Sequence, residues 1–196
     1  MIRTISLLIV LFLFINPYTD AQEWLQEIIN ELNTEEKGLP EPDDLMGNLL
    51  AAMNKSIGES SHNIVFKNFE DGRLDSLSNY IGKVVLVNLW STHCSGCRWQ
   101  LPHLSRLQEE YSNYNLMVIY ASPEDSLTLK AYFDENNTTG YKAIVKGDYL
   151  KRPFQLLAFP SAYLIDSEGI IQEIWIRPEE FEDLEKRVSP YLTKYD

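Results

Sequence analysis

The chain has 196 residues, enough for one domain with a sizeable core that needs no crosslink to fold, and 44% of them are hydrophobic, an ordinary globular share. A formal net charge of -12 argues against nucleic acid and against an anionic membrane surface as partners. Acidity by itself names no substrate.

The chain opens with Arg3 ahead of an apolar run from Ile5 to Ile15, which stops at Asn16-Pro17 and gives way to a polar stretch ending in Ala21. A membrane helix needs roughly 20 apolar residues. Residues 1–21 therefore read as a secretory signal peptide; cleavage after Ala21, leaving no stable membrane span, is expected, with an uncleaved anchor as the alternative. No cysteine lies at that junction to carry a lipid anchor. The expected location is extracytoplasmic, the bacterial periplasm, where thiols meet disulfide exchange.

Residues 22–61 form an acidic N-terminal segment broken by "GLPEP" at Gly38 to Pro42. Trp24, Leu25, Ile28, Ile29 and Leu32 share one helical stripe, and Leu45, Met46, Leu49, Leu50 and Met53 repeat the spacing. Two short amphipathic helices are expected, packed on the domain that follows, with docking to a partner or a second copy as the alternative. Acidic outer faces oppose a lipid-surface role.

Residues 62–196 alternate strands with helices. "NIVFKNFEDGRLDSL" reads as a hairpin about Asp71-Gly72, and "KVVLVNLW", Lys83 to Trp90, as a buried central strand. A helix follows to about Ser112, then a strand from Leu116 to Tyr120. "SPEDSLTLKAYFDENN" predicts a helix with Ser122 as N-cap, Pro123 at the first position, and Glu124 and Asp125 in the first turn. "SAYLID" and "IIQEIWI" pair antiparallel across Ser167-Glu168-Gly169, and "PEEFEDLEKRVSPYL" makes a last helix with Phe181, Leu184 and Val188 on one face. The order predicts an α/β fold, a central mixed β-sheet flanked by helices.

Both cysteines lie in "WSTHCSGC", Trp90 to Cys97, where the central strand passes into a helix at the carboxyl edge of the sheet. Unpaired N–H groups and the macrodipole at the helix start favour a thiolate at Cys94. Cys97 is one turn further on. Neighbours at that spacing have Cβ atoms about 5–6 Å apart, whereas a disulfide wants about 3.8 Å, so slight unwinding of the first turn is expected to close the pair. So small a ring restrains little of the unfolded chain. It makes a poor staple and a good reversible switch.

A metal reading stays open, because His93, Cys94 and Cys97 could hold a soft ion such as copper or zinc. One CxxC is a weak zinc signal, and His103, two turns past Cys94, is badly placed to close the site. Haem attachment fails because Arg98 follows Cys97, and a peroxidase site would need a proline and a threonine ahead of its cysteine. A non-catalytic binding module has no use for an intact cysteine pair.

"VVLVNLWSTHCSGCRWQLP", with its W-x-x-x-C-x-x-C spacing and Pro102, resembles the active-site stretch of the thioredoxin superfamily. The upstream "FEDGRLDSLSNYIGKVVLVNLW" resembles more narrowly the TlpA/ResA-like group of exported thiol–disulfide oxidoreductases. "LLAFPSAYLIDSEGII" is similar to the segment that carries a cis-proline facing the cysteines, here Pro160. The likeness runs from about Phe66 to the C-terminus and leaves residues 22–61 unexplained.

This resemblance implies a thioredoxin-like fold and an enzyme that exchanges disulfides with protein partners, more as reductant, supplied by a membrane electron donor. It implies no cofactor beyond the redox-active Cys94–Cys97 disulfide. Cys94 would attack and Cys97 resolve. A cis Phe159-Pro160 bond would offer backbone groups to an extended substrate segment. Trp90, half in the core, would form the active-site wall with His93, Phe159 and Pro160, and Pro102 would kink the helix.

Departures from the group's pattern are His93, Gly96 and Gln100, where tryptophan, proline and glutamate are usual, and Asn88, where thioredoxin has aspartate. Two customary carboxylates are thus neutral amides. Proton handling falls first to His93, whose imidazolium would favour the neighbouring thiolate. Glu124 is a second candidate, although a place in a helix first turn would account for it. Arg98 would add positive potential or point to water. The Ser95-Gly96 pair alone does not fix the potential.

Overall fold

A computed structural model describes Gly47, Leu50, Ala51 and residues 53–61, 64–145 and 158–195. The expected signal peptide, the first amphipathic stripe (Trp24 to Leu32) and Leu45, Met46 and Leu49 of the second lie outside the described residues.

The expected hairpin is present: β1 (Val65–Asn68) pairs antiparallel with β2 (Leu74–Ser76). Its turn is held by the Asn68 side-chain oxygen, which accepts from the backbone N–H groups of Glu70 and Asp71, and by Gly72 at a φ of 72°. β3 (Val84–Leu89) is buried along its whole length. It leads to α1 (Ser95–Glu110), β4 (Leu116–Ser122), α2 (Ser126–Glu135), β5 (Tyr141–Ile144), β6 (Ser161–Ile165), β7 (Ile171–Trp175) and α3 (Phe181–Val188).

The seven strands form one sheet in the order β2-β1-β5-β4-β3-β6-β7. The β3–β4 and β4–β5 pairs are parallel and the others antiparallel, so the sheet is mixed as expected. β3 carries apolar side chains on both faces because both are covered. Val84, Leu86 and Trp90 enter one core with Leu101, Leu104 and Leu107 of α1, Leu129 of α2, and Phe181, Leu184 and Val188 of α3. Val85, Val87 and Leu89 enter the other with Phe66, Ile119, Tyr163 and Ile165.

Two elements differ from the sequence reading. Ser122 does not cap α2: its backbone is still extended and paired with Ile144 of β5. The cap is Asp125, whose carboxylate accepts from the N–H groups of Leu127 and Thr128, so Pro123 and Glu124 lie outside the helix. β5 itself falls in a stretch with no clear period and was not expected.

The compact unit starts at Gly47. Met53 is fully buried in the second core, and the backbone beyond it adds to the β7 side of the sheet: Gly58 N–H donates to Ile171 O at 2.8 Å, Ile171 N–H to Glu59 O at 3.0 Å and Ser61 N–H to Gly169 O at 2.9 Å. Among the described residues no helix is long and apolar enough to cross a membrane.

Candidate active site

The backbone stays in the sheet through Trp90, whose N–H donates to Ala121 O at 3.1 Å. It then turns: Cys94 N–H donates to Ser91 O at 3.1 Å and His93 N–H to Ser91 Oγ at 3.2 Å. Cys94 is the N-cap of α1, with extended backbone, and its Sγ accepts from Cys97 N–H at 3.1 Å. The two cysteines form a disulfide with Cα atoms 5.2 Å apart. The helix is not unwound to close it. Cys94 stands just outside the helix, and its extended conformation brings its sulfur over the first turn. Cys97 is fully buried, whereas Cys94 is only partly so.

Glu124 is where this structure departs most from the sequence reading. It follows β4, and the parallel register that sets Leu89 beside Ala121 brings the ends of β3 and β4 to one edge. There the Glu124 carboxylate accepts from Thr92 N–H at 2.8 Å, Thr92 Oγ1 at 2.8 Å, Ser91 Oγ at 3.2 Å and Ser122 Oγ at 3.2 Å. His93 Nε2 lies 3.8 Å from it. Burial pushes the Glu124 carboxyl up, but the hydrogen bonds from Thr92, Ser122 and Ser91 outweigh burial and hold it below the ordinary range. It is an ionised anchor for the loop entering Cys94. Paired serine and threonine donors at 91 and 92 are visible in the sequence; the register that delivers their acceptor is not.

Trp90 is fully buried and forms no solvent-facing wall. Its ring packs under the site, 5.0 Å from Tyr132 and 5.5 Å from Phe133 between centroids, because α2 covers it. The Phe159-Pro160 bond is cis. Pro160 approaches Gly96 between the cysteines: a Cβ at Gly96 would lie 3.9 Å from Pro160 Cδ. Phe159 is half-buried against both cores. His93 and Arg98 are exposed, and His103 packs on the Trp99 ring, with centroids 4.7 Å apart.

Asn88 and Gln100 are fully buried, and neither side-chain amide has a hydrogen-bond partner. Asn88 alternates with Leu86 and Trp90 toward α1, and Gln100 lies on the buried face of α1 with Cys97, Leu101 and Leu104. The interior behind Cys97 therefore holds neutral amides. Among the described residues no group of three or more His, Cys, Asp or Glu side chains is gathered to hold a metal ion.

Residues 57–174, more than half of the chain, match the AhpC/TSA family. This chain belongs to the AhpC/TSA family. The AhpC/TSA match takes in β1 to β6, all of β7 but Trp175, both cysteines, Glu124 and the Phe159-Pro160 pair. Among curated relatives the chain is similar to the thioredoxin-like protein YneN of Bacillus subtilis, 28% identical over 121 residues, covering 60% of this chain and 71% of that one. It is also similar to the thiol-disulfide oxidoreductase ResA of Bacillus thuringiensis, 26% identical over 138 residues, covering 68% and 79%.

Two solved structures share the fold. One is a thiol:disulfide interchange protein of the thioredoxin family from Chlorobium tepidum (TM-score 0.61, 18% identity, 67% of this chain and 94% of that one). The other is the thioredoxin domain of a thiol-disulfide oxidoreductase from Bacteroides vulgatus (TM-score 0.58, 24% identity, 67% and 97%). The expected thioredoxin-like fold and the likeness of the motif to the TlpA/ResA-like group agree with these relatives.

Proposed function

We propose that this chain is an extracytoplasmic thiol–disulfide oxidoreductase that exchanges disulfides with protein partners through Cys94 and Cys97 and acts as the reductant. The carrying observation is the asymmetry of the pair: one sulfur partly open at a helix N-cap, the other sealed beneath it. In the dithiol form the Cys94 thiolate attacks a partner disulfide, forming one S–S bond and releasing one partner thiolate. The Cys97 thiolate then attacks Cys94 Sγ, closing the internal disulfide and freeing the second partner sulfur. Two electrons pass from this chain to its partner, and the departing thiolates take up the protons lost by the cysteines.

Helix-start N–H groups stabilise negative charge at Cys94. His93 is exposed beside it, and Glu124 fixes the loop that carries His93. Pro160 stands against the Ser95-Gly96 turn between the cysteines, with Phe159 joined to it through the cis bond. No cofactor beyond the cysteine pair enters this scheme. The signal-like residues 1–21 support export, and a reductant outside the cytoplasm needs electrons delivered by a membrane donor.

Replacing the resolving thiol (Cys97→Ser) in cells should leave Cys94 joined to its partners as mixed disulfides, visible as adducts on non-reducing gels and lost when Cys94 is also replaced. No adducts, together with stoichiometric copper or zinc on the purified wild type, would sink the oxidoreductase reading. A reduction potential more oxidising than that of the trapped partners would reverse the direction.

A further inference from the structure

Gly96 sits between the two cysteines in the first turn of α1, with ordinary backbone: it is not among the glycines of positive φ. Nothing in its conformation asks for glycine, and alanine there should favour the helix. Space is what constrains it. A Cβ at this position would stand 3.3 Å from Cγ of Pro178 and 3.8 Å from its Cβ, close enough that one of the two must move.

Pro178 lies between β7 and α3, and the chain is tied down on both sides of it. Glu179, its side chain 1% exposed, accepts from Arg187 Nε and Nη2 at 2.8 Å each and from Arg177 Nε at 3.2 Å. Arg187 also donates to Glu173 at 2.6 Å and sits 4.7 Å over the Trp175 ring. A proline with fixed φ, next to a buried bidentate ion pair, retreats only if that pair yields.

We propose that Pro178, held by the Glu179–Arg187 pair, is a positioning residue for the cysteine pair: it confines the Ser95-Gly96 turn and so helps set the balance between disulfide and dithiol. This rests on the reading of Cys94 and Cys97 as a redox couple. With the disulfide closed, the turn is held at both ends and cannot move from Pro178. With it open, the turn can shift. Added bulk at residue 96 therefore costs more in the disulfide than in the dithiol.

The test is a glutathione redox titration of the full chain, with no protein substrate, for Gly96→Ala, Pro178→Ala and the double variant. Strain that falls on the disulfide and is relieved in the dithiol should make Gly96→Ala move the equilibrium toward dithiol roughly three- to tenfold. In the Pro178→Ala background the same change should move it less than about twofold, since the obstructing Cγ is gone. Equal shifts in both backgrounds would overturn the proposal.

Glu179→Gln should shrink the Gly96→Ala shift as well; a full shift there would overturn the role given to the ion pair. If Gly96→Ala alone does not fold, the double variant must, and its failure counts against Pro178 as the obstacle. Because the titration needs no partner, it can fail while partner trapping succeeds, and the reverse.

Discussion

Glu124 receives hydrogen bonds from Thr92, Ser91 and Ser122, and all of them favour its ionised form. A carboxyl held below its ordinary range contributes stability that is complete above the unfolded value of about 4.3 and is lost as pH falls through the lower folded value. Glu124→Gln should therefore be less stable than wild type by about 1–3 kcal/mol at pH 7. The gap should narrow as pH falls below about 4. Thermal melts of both proteins across pH would show this; a gap independent of pH would mean that the charge is immaterial. Asp75 is also held low but is common to both proteins and cancels in the comparison. At this scale the cysteines were legible because their chemistry is local, a pair three residues apart at a strand end. Glu124 was named as a candidate for proton handling, but its role as anchor was not legible, because its donors at Ser91 and Thr92 meet it only through the register of two parallel strands.

Strands with a strong pattern, β3, β6 and β7, could be read from their β-branched and aliphatic runs, and α3 from Phe181, Leu184 and Val188. β5 could not, since of Tyr141, Lys142, Ala143 and Ile144 only Ala143 is fully buried. What places β5 is the residue before it. Gly140 has a φ of 137°, and a Cβ there would come within 2.6 Å of Tyr120 Cε2 and 3.0 Å of Val118 O. Gly140→Ala meets both a backbone that rejects side chains and a neighbouring strand that cannot give way. Chemical denaturation should show a loss of about 2 kcal/mol or more; a loss under about 0.5 kcal/mol, the range of neutral surface changes, would contradict the close approach. The start of α2 shows the same limit: Ser122 and Asp125 are both good capping residues, and sheet pairing of Ser122 decides between them.

Across the whole molecule, the mixed sheet with helices packed on it was legible from the alternation of elements, but the ion pairs that join β7 to α3 were not. Arg177, Glu179 and Arg187 look like surface charges in sequence, and only packing shows that Glu179 is sealed in. Arg187→Met removes the main partner of a buried carboxylate and should cost about 3–5 kcal/mol. Glu173→Gln, at a partly exposed position, should cost about 1 kcal/mol or less. Urea midpoints of the two variants test this ranking, and the reverse order would show that Glu179 does not depend on Arg187.

Met53 has a consequence for where the gene can be cut. The strand pattern invites an expression boundary near His62, yet a polypeptide begun there would lack a side chain that fills the second core and the backbone that hydrogen-bonds Gly169 and Ile171. Such a fragment would keep every residue of the redox motif and still start with a hole in its interior. The practical limit of the minimal recombinant protein lies upstream of Met53, inside the acidic segment that the sequence sets apart from the domain.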